Sequence, residues 1–223
     1  QHFWSPINHL HAVKQTAKLR LAYNECLAKI SAYSSELSQN SRLYQAIKTL
    51  DNGDYRFNYA QKKCLHNELR DFHLGGIDLP KAKQKRYQVI QAQLAQLSNQ
   101  FEENLLDATA NWSKCISDKS ELKGLPTYII ASAEKAAKDK NMSGCLLSLD
   151  YPCYFPVLSY ADNRALRESV YKAYITRASE FGNMAFDNSH IKIKILNLRH
   201  ELSQLHGFKN YAQKSLASKK KKK

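Results

Sequence analysis

Eight apolar residues, Tyr87, Ile90, Leu94, Leu97, Phe101, Leu105, Ala108 and Trp112, follow one another at steps of 3, 4, 3, 4, 4, 3 and 4. A strand cannot use this pattern, because its side chains change face at every residue. A helix places them all on one stripe, and a spacing this near 3.5 calls for a second helix along the seam. Pro80 suits the start of that helix, since a first-turn proline gives up no bonded N–H. The helix read between about Phe57 and Leu74 is expected to fill the seam, folded back as an antiparallel hairpin. Only 7 Gly and 5 Pro occur in 223 residues, too few turn-makers for a many-stranded sheet. The expected fold class is therefore all-α: long helices, helical hairpins and at most a small β-hairpin.

The remaining segments agree with that class. Ser5-Pro6 is read as the N-cap and first turn of a helix that carries Ile7, Leu10, Val13 and Ala17 and runs on through Leu27 and Ile30. Leu43, Tyr44, Ile47 and Leu50 mark a second helix, stopped by Asn52-Gly53; the third ends at Gly75-Gly76. "LKGLP" (122–126) breaks the chain before a helix from Thr127 to about Lys140. "CLLSLD" (145–150) is the one convincing strand, and the two prolines of "YPCYFP" after it forbid regular pairing. Asn163 caps a further helix, another runs from about Asn188 to His206 and closes at Gly207, and the last begins near Lys209. Residues 1–218 read as a single helical region and Lys219–Lys223 as a disordered lysine tail.

Charge and cysteine usage exclude several classes. Of the net charge of +14, five units come from Lys219–Lys223, and removing them leaves +9. No arginine–glycine tract, aromatic RNA-binding signature or finger spacing accompanies this basicity, so no nucleic-acid partner is expected. No apolar run approaches the roughly 18 residues of a membrane helix. Gln1 opens the chain with no basic, apolar leader, so export is not expected, and the absence of an initial Met is read as a piece of a longer chain. Cys26, Cys64, Cys115, Cys145 and Cys153 are odd in number, scattered and without a C-x-x-C pair, which fits reduced thiols in the cytoplasm.

One stretch imitates a metal site. "RHELSQLHGF" (199–208) holds His200, Glu201 and His206. A zinc helix of the H-E-x-x-H kind needs two histidines four residues apart, one turn above the other, so that both nitrogens reach one ion. Four residues after His200 stands Gln204. His206 is about 600° further round the helix at roughly 100° per residue, which leaves the rings ~120° apart. Glu201 is then a solvated charge or an ion-pair partner. His9 and His11 diverge on their helix, and His66 and His73 lie two turns apart. Glu102 and Glu103 point apart, and the aromatic residues of "YPCYFPVLSY" (151–160) read as core with a hydroxyl handle before they read as a ligand platform. No phosphate loop, dinucleotide turn or nucleophile elbow is present. The residues name no catalytic, cofactor-binding or metal-binding position.

Several of these motifs, taken in order, resemble one family. "LRDFHLGGIDLP" (69–80), "NQFEENLLDATANW" (99–112), "LKGLP" (122–126), "LSLDYPCYFPVLSYADNRALRESVYKAYITRAS" (147–179) and "LRHELSQLHGFKNYAQKSLASK" (198–219) look like the N-terminal and middle part of the oligopeptidase A / thimet oligopeptidase family. The resemblance implies a cytoplasmic zinc metalloendopeptidase that hydrolyses short unfolded peptides. It also implies part of a two-lobed helical shell around a narrow channel. The family's zinc sits on an H-E-x-x-H helix and a later Glu, and the "RHELSQLHGF" stretch matches a structural helix upstream of it. No family catalytic or zinc residue maps onto this chain, so a fragment that is inactive alone and binds no zinc is expected. The alternatives are a helical module that grips peptides without cutting them and, less favoured, a basic nucleic-acid-binding protein. Helix faces left without a partner are expected to drive self-association, visible by sedimentation.

Overall fold

The computed structural model describes residues 3–14 and 16–219; four of the five residues of the expected lysine tail lie outside these. The described residues form α1 (Trp4–Val13), α2 (Ala17–Ser38), α3 (Ser41–Asn52), α4 (Tyr59–Leu74), α5 (Lys81–Asn111), β1 (Ser113–Ile116), α6 (Thr127–Asp139), β2 (Cys145–Ser148), α7 (Tyr151–Tyr160), α8 (Arg164–Thr176), α9 (Ser189–Leu205) and α10 (Tyr211–Leu216). The fold is all-α apart from the antiparallel pair β1–β2. The chain divides into two compact units, residues 1–99 with 193–223, and residues 100–192.

Polar side-chain caps set five of the ten helix starts among the described residues. The side chains of Thr16, Asn40, Asn58, Asn163 and Asn210 each accept a bond from the backbone N–H three residues on, satisfying a donor that the helix leaves free. Thr16 corrects the first helix. The apolar pattern reads continuously from Ile7 to Ile30, yet α1 ends at Val13 and a separate helix, α2, starts after Thr16. Ser5 is also not a cap: Phe3 holds that position without a side-chain bond, and Ser5 lies inside α1. Left-handed residues set the stops. At Gly76 (φ 88°) and Gly207 (φ 73°) the next N–H reaches back five residues, Ile77 to Phe72 at 3.1 Å and Phe208 to Ser203 at 3.0 Å.

In the first unit, the expected partner of the long stripe is corrected. Tyr87 and Ile90 of α5 form an apolar cluster with Leu202 of α9, and Leu79, Leu94, Leu198 and Leu205 pack against it. The seam is thus shared with a helix more than 100 residues downstream, whereas α4 pairs with α3, where Tyr44 meets Phe72 at 5.7 Å. The buried Gln84 amide donates to Gly76 O at 3.2 Å and Ile77 O at 3.0 Å, which ties the "GGIDLP" connector to the start of α5.

In the second unit, β1 and β2 pair in the register Ser113↔Ser148 through Ile116↔Cys145. Ile116, Leu122, Ile129, Leu147, Leu149, Val157, Leu166 and Val170 make one core, to which both strands contribute. The "YPCYFP" segment is a helix, α7. Pro152 sits in its first turn, where no N–H is needed, and Pro156 is buried one turn later. Cys26, Cys64 and Cys115 are exposed, Cys145 is buried in β2, and Cys153 is half-buried on α7.

Candidate functional site

The histidine–glutamate stretch is built on the C-terminal half of α9 and the turn that closes it. Glu201 faces Arg86 of α5, whose Nε and Nη2 donate to its two carboxylate oxygens at 2.6 and 2.7 Å. This two-pronged bond holds the Glu201 carboxyl below its usual range and raises the guanidinium of Arg86. The carboxylate is therefore bound to a cation, not free to activate water. Its expected role as an ion-pair partner is the one it has.

His206 lies just past α9, in the Gly207 turn. Its Nδ1 is 2.9 Å from Leu202 O, and its ring meets Tyr87 edge-on with centroids 5.5 Å apart. His200, on α9, is exposed. The two rings thus serve different surroundings, one solvent and one the packed seam. The other candidates are equally dispersed. His9 and His66 are exposed; His11 is buried against Tyr23, with centroids 3.9 Å apart. His73 bonds Asp78 and touches Tyr44 with its edge. Glu102 is exposed on α5 beside the half-buried Glu103. Among the described residues, no three His, Cys, Asp or Glu side chains converge to hold a metal. The described residues do not fit the zinc that the resemblance implies.

Of the aromatic residues at 151–160, Tyr151 and Phe155 stack on each other in the open at 5.3 Å, and Tyr154 stacks on Tyr174 at 3.7 Å. Arg86 was invisible to motif reading: it stands 115 positions from Glu201, and no spacing rule links them.

Burial of the His206 ring lowers its pKa, mainly because the charged form is poorly solvated there. The unfolded chain then binds a proton more readily than the folded one. Stability is full above the unfolded value of about 6.5, falls as pH drops below it, and levels off under the lowered folded value. Urea titrations at steps from pH 7.5 to 4.5 are expected to show this loss, and His206→Phe to reduce it. An unchanged slope in that variant would remove His206 from the account.

Comparison with known proteins bears on both ends of the chain. Residues 1–84 match the family described as Neurolysin/Thimet oligopeptidase, N-terminal domain, and residues 157–223 match Peptidase family M3. "Oligopeptidase A" of Escherichia coli (strain K12) is 50% identical over 97% of this chain, and "Oligopeptidase A" of Haemophilus influenzae is 46% identical over 97%. "Probable cytosolic oligopeptidase A" of Arabidopsis thaliana is 38% identical over 97%. In each case the chain spans about a third of the relative's length, 32%. A helical chain that aligns with these peptidases along nearly all its residues, and carries both family matches, belongs to the oligopeptidase A / thimet oligopeptidase family and represents its N-terminal and middle portion.

Proposed function

We propose that this chain supplies wall structure to a cytoplasmic zinc metallo-oligopeptidase acting on short unfolded peptides, and that alone it neither holds the catalytic zinc nor cleaves peptides. The single observation that carries the second half is the Arg86–Glu201 pair. The only His-Glu dipeptide in the chain has its carboxylate bound by a guanidinium and lacks a histidine one turn on. No helix among the described residues is long and apolar enough to cross a membrane, in keeping with the cytoplasmic reading. The chain's own residues would then act by position: they present helix surfaces to a peptide and leave its chemistry to the rest of the enzyme.

The test is a metal assay and a turnover assay on the purified chain. After incubation with zinc and gel filtration, zinc is expected well below one equivalent. A quenched fluorescent peptide is expected to be cleaved no faster with the chain than with buffer. Stoichiometric zinc together with chelator-sensitive cleavage overturns the reading.

A further inference from the structure

The second unit contains a cavity of about 320 Å³ beside the C-terminal end of α8. Trp112, Leu149 and Phe186 give it apolar walls, and Asn111, Asn183 and Arg177 give it polar ones. Apolar walls with a few polar groups are the usual composition of a ligand site, and the volume is at the small end of that range. None of its lining residues is acidic.

Arg177 is fixed before any ligand arrives. Its guanidinium carbon lies 3.5 Å from the Tyr174 ring centroid, and Tyr174 is in turn stacked on Tyr154 at 3.7 Å. Nη1 donates to Tyr174 O at 2.5 Å, so the plane of the group is set by the end of α8. The opposite edge is unused. Nε is shielded from solvent and has no hydrogen-bond partner, and Nη2 makes no hydrogen bond among the described residues. The acids near it in sequence are engaged elsewhere: Glu180 accepts from Ser189 Oγ at 2.5 Å and Asp187 from Ser189 N at 2.9 Å. Nη2 is thus the N–H group left for an occupant. The same chain shows what a guanidinium takes, because Arg86 is bound to a carboxylate.

We propose that Arg177 and this cavity form a binding site for a carboxylate carried next to a bulky apolar group. Nη2 donates to the carboxylate, and Trp112, Leu149 and Phe186 cover the apolar part. The C-terminal residue of a short peptide and a free aromatic acid share this chemistry. The site needs no metal and stands apart from the zinc reading above.

Calorimetric titration of the 223-residue chain tests it with three probes: N-acetyl-Ala-Phe as the free acid, the same dipeptide as its amide, and 3-phenylpropionate. The acid is expected to bind at least about 10-fold more tightly than the amide, since only the acid brings a charge to the guanidinium. Binding of 3-phenylpropionate at equal strength marks a site for free acids; weaker binding marks one for peptides. Arg177→Gln is expected to lose the preference for acid over amide. Because Arg177 also closes α8, a second variant is needed: Ala173→Leu fills the cavity from another wall, leaves the guanidinium in place and is checked for folding by circular dichroism. Equal binding of acid and amide overturns the proposal, as does no acid binding up to about 10 mM or unchanged affinity in a folded Ala173→Leu variant.

Discussion

Leu147→Ala is expected to cost the second unit about 3 kcal/mol, within the 2–5 kcal/mol range for a buried leucine cut back to alanine. Leu147 is 0% exposed at the middle of β2 and belongs to the cluster that also holds Ile116, Ile129, Val157 and Val170. These residues come from β1 and from three helices, α6, α7 and α8, so no single element can move in to fill the gap. Because the chain divides into two units, the loss must be read from a probe inside the right one. The protein has two tryptophans, Trp4 in the first unit and Trp112 packed against the core of the second. In a Trp4→Phe background, Trp112 fluorescence reports the second unit alone. With a urea slope of about 1–2 kcal/mol/M, the midpoint is expected to fall by roughly 2 M. A shift under about 0.5 M would mean that β2 is not central to that core.

Gly124→Ala is expected to be of similar size for a different reason. Gly124 holds φ at 90°, and a Cβ there would stand 2.3 Å from Tyr160 O and 2.9 Å from Asp162 N. The φ alone costs an alanine about 1–3 kcal/mol. The clash adds to it, because the obstructing atoms are backbone and are held by the bond from Asp162 N to Lys123 O at 2.8 Å. A total of roughly 3 kcal/mol or more is expected in the same Trp112 assay. Gly124→Asn separates the two causes. Asparagine tolerates positive φ better than alanine, so backbone strain alone predicts partial recovery, whereas the clash predicts none. The contacts favour no recovery.

What the sequence made legible was local. The stripe from Tyr87 to Ala108, the asparagine cap at Asn163 and the stops at Gly76 and Gly207 all act within a turn or two and appear where the residues placed them, whereas Trp112, the last of the stripe, falls just past the end of α5. Features that depend on distant residues were not legible. The partner of the α5 seam lies more than 100 positions downstream, and nothing in the stripe distinguishes α9 from the nearer α4. β1 is four residues long, too short to show alternation, and its partner begins 29 residues after its last residue. α7 was hidden because proline argues against strands without arguing against the first turn of a helix. Thr16 interrupts an apolar pattern that runs on unbroken, and a capping hydroxyl prevails over periodicity when the helix ends are short of partners. At the candidate site, spacing alone separated His200 from His206, because the angle between them follows from helix geometry. The Arg86 partner of Glu201 and the cavity beside Arg177 needed the folded chain.

The uneven placement of the thiols has a practical use. Cys26, Cys64 and Cys115 face solvent, while burial raises the pKa of both Cys145 and Cys153 and walls in the former completely. A short pulse of alkylating reagent thus tags three sulfurs at once and two only when the strand or α7 swings open. Mass spectrometry of the slow pair becomes a stopwatch on the breathing of one half of the molecule, with no substitution required.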